Sequence, residues 1–504
     1  MSWLVQRGRL VRSPGVRRGV ALALLVALAP LVPSARAQPA TSALPAPPVP
    51  PAVPAESSLR LVDVLDAVRA HPLAAAARAG VDRAVGQQLA AEGAFDVRAR
   101  VRGTTTPTAY YDSTTLDAEV RMLTPVWGIT PFAGWRLGRG EFPAYDGKLS
   151  TLQRGELRAG LDVPLLRDGP IGRPRADLQK AELADDQARA ELRQRELELQ
   201  QSAAFAYWDW VAAGTRLTVR ERQLQLARDR DEGIRRTITQ GNTAPIEALD
   251  NARVIATRQA IVVTGQRDVI RSGLELSMFL RGPGGAATVP GPERLPVLVE
   301  LPPPLAIEVD LAAVIAQAYA AVPSVAAMSV RLEANAVDVE LARNQLLPGV
   351  TASAYVTRGF GPSETALPDR SETAIGVGLT IDMPVQLRQA RGALAIARAD
   401  RTRLEQERRF LLDRIAIEVR AAHAELVAAR QRAQLAGTQA QLAEQLAEAE
   451  RTRFARGDTT ILFVNLREEG AADAAASKID ATADYFKARA RYVVAAGLSP
   501  RDSM

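Results

Sequence analysis

The feature that constrains the fold most is a very long helical pattern that glycine interrupts, and it occurs twice. The first interruption lies in RRTITQGNTAPIEALDNARV at Gly241, and the second lies in AERTRFARGDTTILFVNLRE at Gly457. A helix rises 1.5 Å per residue, so one of about sixty residues would be roughly 90 Å long. Because that length exceeds the width of a compact domain, we predict that these helices project from the rest of the protein.

Apolar side chains recur along both helical patterns at the spacing of a coiled coil. The first pattern carries rows at Leu192, Leu199, Ala206 and Ala213 and at Ala203, Trp210, Leu217 and Leu224. The second carries rows at Ile415, Ala422, Ala429, Ala436 and Ala443 and at Val419, Leu426, Ala433, Ala440, Ala447 and Phe454. Rows seven residues apart predict a continuous seam between helices, and the many alanines allow a close approach.

Each long helix belongs to a larger unit that is duplicated in the chain. A short amphipathic helix meets a proline (Pro72 or Pro323), a second helix follows, and amphipathic strands precede the long broken helix. The predicted first repeat spans 57–288, with strands at about 96–164 and long helices at about 170–281; the second spans 306–499, with strands at about 349–383 and long helices at about 388–497. A Pro-rich linker, 289–305, separates the two repeats. The predicted fold class is therefore mainly α with amphipathic strands in two structural repeats.

The strands alternate between apolar and polar residues. The apolar positions that we expect to face one side are Leu157, Leu161, Ile375, Val377, Leu379 and Ile381. Arg98, Arg100 and Arg102 alternate in the same way with small apolar residues in an earlier strand. Segments of about ten residues with one apolar and one polar face suit a transmembrane barrel. A half-exposed sheet in a soluble domain shows the same alternation, but an exported chain with projecting helices favours the barrel.

The N-terminus predicts export. Residues 1–37 combine arginines, an apolar run and a small-residue cleavage site, as in a signal peptide, and residues 38–56 form a Pro/Ala-rich tether. The chain has 63 Lys and Arg against 57 Asp and Glu, and the predicted leader holds six arginines and no acidic residue. The remainder is therefore neutral overall, so the basic pI does not indicate a nucleic-acid partner.

Enzymatic motifs are missing from the sequence. It has no cysteine, no Gly-rich phosphate loop and no nucleophile motif, and His71 and His423 are its only histidines. A structural role is the simplest interpretation of both histidines. We therefore predict no enzymatic activity, no cofactor and no metal site.

Taken together, the leader, the duplicated helix–strand–strand–long-helix unit and the two glycine breaks resemble the TolC family of outer-membrane efflux proteins. The resemblance implies a homotrimer in the outer membrane, with four strands per protomer in a twelve-stranded β-barrel that contacts lipid. It also implies a periplasmic α-barrel that docks onto an adaptor (membrane fusion protein) and an inner-membrane pump. The expected function is then the outer-membrane channel of a tripartite efflux or type I secretion system. A non-conducting coiled-coil scaffold or adhesin of the cell envelope is the alternative.

Under this resemblance, Gly241 and Gly457 mark hairpin tips at the periplasmic mouth. Glu247 supplies the carboxylate that family members often carry after the first tip glycine. The second tip departs from the family pattern at three positions: Phe454 replaces a tyrosine, Thr459 replaces an arginine and Phe463 replaces a carboxylate. Closure by packing of Leu462 and Phe463 is one interpretation, and a hairpin-core role for Phe454 and Phe463 is the other.

The first repeat is longer than the second by about 35 residues, which fall within 114–153. This insertion alternates in two segments and carries several aromatic residues: Trp127, Trp135, Phe142 and Tyr145. Either it forms an extended surface hairpin, which keeps four strands per protomer, or it adds two barrel strands and gives eighteen in a trimer. We expect the surface hairpin, because helices matched to a twelve-stranded rim would fit a wider barrel poorly.

Overall fold

The structure is a computed structural model that describes residues 58–108, 110–142, 149–241, 244–282, 285–298, 310–362 and 373–501. All of them belong to one compact unit, Glu56–Met504. The predicted signal peptide (1–37) and tether (38–56), Tyr145 of the insertion and the end of the Pro-rich linker lie outside the described residues.

Eight helices of seven or more residues are described, four in each repeat. The first repeat contains α1 (Leu61–Ala67), α2 (Pro72–Glu92), α3 (Arg173–Thr239) and α4 (Pro245–Ser277); the second contains α5 (Leu311–Ala321), α6 (Pro323–Asn344), α7 (Arg388–Ala455) and α8 (Ile461–Ala495). With 67 and 68 residues, α3 and α7 are each roughly 100 Å long. The predicted mainly helical fold is confirmed.

Proline begins the second helix of each repeat. Pro72 and Pro323 occupy the first turn of α2 and α6, where the amide hydrogen that proline lacks has no helical partner to bond. The residue before each proline, His71 or Val322, is extended, and α5 and α6 consequently meet at 52°. Among the described helices, none is alone long and apolar enough to cross a membrane, and only the bent α5–α6 pair passes that test in combination.

In the described part of the chain, six strands form one antiparallel sheet in sequence order. They are β1 (Arg98–Thr105), β2 (Ser113–Arg121), β3 (Thr130–Gly140), β4 (Glu156–Pro164), β5 (Gly349–Gly359) and β6 (Thr373–Asp382). The two repeats meet where β4 pairs with β5, from Glu156 opposite Gly359 to Pro164 opposite Thr351. β1 and β6 are the two edges of the sheet.

The insertion in the first repeat adds strands β2 and β3 to this sheet, so the predicted surface hairpin is wrong. β2 pairs with β1 over its length, and β3 pairs with both β2 and β4. The turn between β2 and β3 lies beside the end of β4, because Trp127 Nε1 donates to Pro164 O at 2.8 Å. A hairpin that begins and ends level with its neighbours is part of the sheet rather than an extension beyond it.

The helical core lies where α3 packs against α1, α8 and the segment after α4. Trp210 is fully buried at its centre, and Trp208 stacks on Phe486 with 4.1 Å between ring centroids. The hydroxyl of Tyr207 donates to Leu59 O at 3.0 Å, which fixes the start of the described chain on α3. The members of both predicted seams are buried or half-buried, so the side chains at this spacing do pack between helices.

Candidate functional site: two helix tips and two sheet faces

Glycines end both long helices at the tips. The φ angles of Gly241 and Gly457 are +76° and +82°, in the left-handed region that favours glycine. The amide of Gly457 donates to Phe454 O at 2.9 Å and that of Asp458 donates to Arg453 O at 2.9 Å, which satisfies carbonyls that the helix end leaves open. The tip glycines therefore stop the helices because of their backbone conformation.

The tip side chains that the sequence singles out lie around these glycines. Glu247 is half-buried in the first turn of α4. Thr459 donates to Glu450 Oε1 at 2.5 Å, and this hydrogen bond joins the tip loop to the end of α7 within the same hairpin. Leu462 and Phe463 are 66% and 51% exposed, so Phe463 is not core of its own hairpin.

Phe454 lies on the other side of the second tip, three residues before Gly457. It is half-buried, in line with its place at the end of the α7 seam.

A charged cluster that sequence reasoning missed joins all four long helices near the tips. Glu468 of α8 is fully buried, and Arg258 of α4 donates from Nη2 to its Oε2 at 3.0 Å. Arg230 of α3 pairs with Glu468 Oε1, and Arg451 of α7 approaches the same oxygen at 3.7 Å. One buried carboxylate therefore holds three guanidinium groups from three different helices.

A sequence signal for this cluster exists. Ile461, Val464, Glu468 and Ala471 occupy one buried stripe of α8 at three- and four-residue spacing. A carboxylate at a seam position is costly to bury without cationic partners. Glu468 alone on the α8 stripe thus predicts cationic partners, although it does not say which arginines provide them.

One face of the sheet is apolar. The six residues predicted to face lipid, which are Leu157, Leu161, Ile375, Val377, Leu379 and Ile381, lie on it and are exposed. The inserted strands continue this face with Leu116, Ala118 and Val120 on β2 and with Ala133, Trp135 and Leu137 on β3. Since successive side chains of a strand point to opposite faces, the apolar surface runs across all six strands.

The opposite face is charged and carries ion pairs within and between its strands and at its helical end. Arg136 Nε lies 2.6 Å from Asp117 Oδ1, and Arg121 Nε lies 2.8 Å from Glu119 Oε1. Arg167, at the helical end of the sheet, pairs with Asp382 at 2.8 Å. A charged face opposite an apolar one suits a sheet that separates lipid from water.

Phe132 lies on this charged face, where an aromatic ring is unexpected. It is only 7% exposed, because the guanidinium carbons of Arg158 and Arg121 lie 5.2 and 5.8 Å from its ring centroid. Arg158 also stacks on Tyr355 at 4.2 Å. Cation–π contacts of this kind stabilise the ring among charges.

Metal-ligating side chains do not cluster in the described part of the chain. No group of three or more His, Asp or Glu residues there could hold a metal ion. His71 caps α2 instead, since its Nδ1 accepts a hydrogen bond from the Leu73 amide at 3.1 Å.

Solved structures of outer-membrane proteins share this fold. The chain matches the outer membrane protein VceC from Vibrio cholerae with 18% identity and a TM-score of 0.59, over 87% of this chain and 96% of that one. It matches the MtrE outer membrane channel of Neisseria gonorrhoeae, solved in an open state, with 14% identity and a TM-score of 0.60, over 88% and 90%. The CmeC channel of Campylobacter jejuni matches with 11% identity and a TM-score of 0.58, over 89% and 90%. At these identities the likeness establishes the fold.

The family follows from a second comparison. The sequence model described as "Outer membrane efflux protein" matches residues 314–498, which is nearly all of the second repeat. No curated protein sequence was found to match the chain. The second repeat therefore matches the outer membrane efflux protein family, and the resemblance recognised from the repeats is confirmed. The matched family and the matched solved structures are outer-membrane channels rather than enzymes.

Proposed function

We propose that this chain forms a homotrimeric channel that conducts solutes from a periplasmic adaptor and an inner-membrane pump to the exterior. The system would be a tripartite efflux or type I secretion assembly. The observation that carries the proposal is the sheet, whose apolar face extends across all six strands and whose opposite face is charged on β1 to β4. A surface with these two faces suits a wall between lipid and a water-filled lumen.

Closure of the wall requires further copies of the chain. Because the strand number is even, edge strands β1 and β6 run in opposite directions, so β6 of one copy can pair antiparallel with β1 of the next. A head-to-tail contact of this kind closes into a ring and removes the unpaired edges. With six strands per copy, a trimer would have eighteen strands rather than the twelve of the family resemblance.

The helix tips are the proposed periplasmic mouth. Exposed Leu462 and Phe463 and the carboxylate of Glu247 lie close to the two tip glycines. In a trimer, symmetry would bring three copies of each group around one axis. Apolar side chains there can close the mouth by packing or contact the adaptor, and the carboxylates can attract cations.

A non-conducting scaffold is the competing function, and the sheet argues against it. A scaffold has no need for six strands that share one exposed apolar face, with charged residues on the opposite face of four of them. Single-channel recording in a planar bilayer separates the two functions: we expect discrete conductance steps, and their absence from correctly folded trimers would support the scaffold.

The closure of the sheet is tested by cysteine pairs in this cysteine-free chain. One cysteine at Ala99 or Val101 of β1 and one at Val377 or Leu379 of β6 sample four pairings. Oxidation should produce covalently linked trimers for at least one pairing. Monomers alone after oxidation of all four variants would contradict closure between β1 and β6.

A further inference from the structure

Three arginines lie in a row along edge strand β1, on the charged face of the sheet. Arg98, Arg100 and Arg102 are exposed and stand opposite Arg121, Glu119 and Asp117 of β2, respectively. Alternation places all six side chains on the same face. Within the described residues, these three guanidinium groups have neither an ion pair nor a hydrogen bond. No direct contact therefore neutralises the positive charge of the row.

The carboxylates nearest to this row are already engaged. Glu119 pairs with Arg121, and Asp117 pairs with Arg136. Asp162 of β4 accepts a hydrogen bond from Ser353 at 2.7 Å and lies 4.0 Å from Arg121. Each of these carboxylates therefore has a cationic partner before the β1 row is counted, with Arg121 shared by Glu119 and Asp162.

A fourth cation, Arg158, is held in the middle of the sheet without a carboxylate. It lies between Phe132 and Tyr355, and its Nε is buried with no hydrogen-bond partner. Gly160 makes room for this stack, because a Cβ there would come within 2.8 Å of the Phe132 ring. The charge of Arg158 is thus held by aromatic rings rather than neutralised by an anion.

The other edge of the sheet adds almost no negative charge. On the charged face, β6 carries Gly376, Gly378 and Thr380, followed by Asp382, which Arg167 already pairs at 2.8 Å. If β6 of a second copy covers β1, its glycines leave space beside the arginines and supply no carboxylate to them. The cationic row would then remain in contact with the lumen water.

We propose that Arg98, Arg100, Arg102 and Arg158 form a cationic lining of the barrel lumen that favours the passage of anionic solutes. The inference rests on the proposed function, in which the charged face lines a channel. Rows of one sign on low-dielectric walls raise the local concentration of oppositely charged solutes, and this effect weakens with salt. Rings of arginine select anions in other pores by the same physics.

The test measures the local potential rather than the conductance, so that the helix tips do not enter the result. A single cysteine replaces Thr104, which is exposed on the charged face two residues beyond Arg102. Trimers in liposomes are treated with two methanethiosulfonates, the anionic sulfonatoethyl and the cationic trimethylammonioethyl reagents. The measured quantity is the rate of thiol modification by the anionic reagent divided by the rate for the cationic reagent. After division by the same ratio for a free thiol in solution, it should be about ten at low salt.

Replacing Arg98, Arg100 and Arg102 by glutamine should lower this normalised ratio about fivefold or more, whereas replacing all three by lysine should preserve it. The matched control replaces Arg193, Arg222 and Arg409 on α3 and α7 by glutamine, which removes the same charge from exposed helix positions. That control should leave the ratio unchanged. A ratio near one in the parent protein, or an equal fall in the control, would overturn the proposal.

Failure of the proposed function gives a different result. If the trimers show no conductance but the ratio keeps its dependence on Arg98, Arg100 and Arg102, the face is cationic and the channel proposal fails. If conductance is normal and neither reagent modifies the Thr104→Cys thiol, the charged face does not line the lumen and the cationic lining is refuted.

Discussion

Arg258 and Glu468 form a buried ion pair between the two helical hairpins, with 3.0 Å between Arg258 Nη2 and Glu468 Oε2. Arg258 also donates to Gln223 O at 2.6 Å, so its guanidinium bridges α3 and α8 from α4. Glu468 is fully buried, and its other oxygen faces Arg230 and Arg451. The hairpins are thus tied together by one carboxylate whose loss would leave three cations without their common partner.

We predict that Glu468→Gln destabilises the helical part of the protein by about 3–5 kcal/mol, because removing one partner of a buried ion pair leaves the charges of Arg230 and Arg258 uncompensated. The denaturation midpoint of purified trimers, followed by circular dichroism, measures this. Glu469→Gln is the matched control, since Glu469 is the next residue of α8 and is exposed. Equal midpoints for the two variants would contradict a structural role for the Glu468 cluster.

A second prediction concerns the tip glycines. Gly457→Ala should lower the free energy of unfolding by about 1–2 kcal/mol, since alanine is that much less stable than glycine in the left-handed conformation that Gly457 adopts. Gly470→Ala, in the interior of α8 where a Cβ meets open space, should instead stabilise by about 0.5–1 kcal/mol. Denaturation midpoints that shift in opposite directions support this explanation, and a parallel shift argues against it.

The helices and their seams were predictable from local rules. Glycine at Gly241 and Gly457 and apolar rows at seven-residue spacing depend on neighbouring residues, and the structure has helix ends and packed seams there. The two faces of the strands followed from alternation in the same way. These features need no knowledge of which distant segments meet.

The strand number of the sheet and the Glu468 cluster were not predictable by those rules. Alternation in residues 114–153 fits a surface hairpin and a sheet hairpin equally well, and only the pairing of β3 with β4 decides between them. Glu468 contacts Arg230, Arg258 and Arg451. The first two of these arginines lie more than two hundred residues away from it in the sequence. Such contacts depend on how the hairpins dock, which periodicity along one helix does not encode.

Stability should depend on pH through His71, the buried residue that caps α2. Burial lowers the pKa of His71 below its ordinary 6.5, and the Arg281 cation contributes in the same direction. The unfolded chain then binds a proton at this histidine more readily than the folded chain does. The contribution of neutral His71 to stability is therefore fully present above about pH 6.5, and it is lost as the pH drops through the folded-state pKa. Protonation would also remove the Nδ1 acceptor that holds the Leu73 amide.

Replacing His71 by asparagine tests this linkage, because asparagine keeps a cap acceptor and does not titrate. We expect the melting temperature of the parent protein to fall more between pH 7 and pH 5 than that of His71→Asn, by about 1–2 °C. Identical pH profiles would show that His71 does not contribute.

The inserted hairpin should cross the membrane. A cysteine in place of Ala118, on the apolar face of β2, should react with a lipid-soluble probe and resist a membrane-impermeant maleimide. A cysteine in place of Thr115, on the charged face of the same strand, should show the reverse preference. Impermeant labelling of both positions on intact cells would restore the surface hairpin.

Glu247 is the candidate charge at the periplasmic mouth. It lies in the first turn of α4, and threefold symmetry would bring three carboxylates together there. Like charges that converge on one axis repel one another and attract cations, so Glu247→Ala should raise the conductance and lower the cation-over-anion permeability ratio about twofold. Glu232→Ala is the control, because Glu232 is exposed near the end of α3 and pairs with Arg236 at 3.4 Å. Reversal potentials in a salt gradient measure the ratio, and values for Glu247→Ala that match both the parent and the control would place Glu247 away from the constriction.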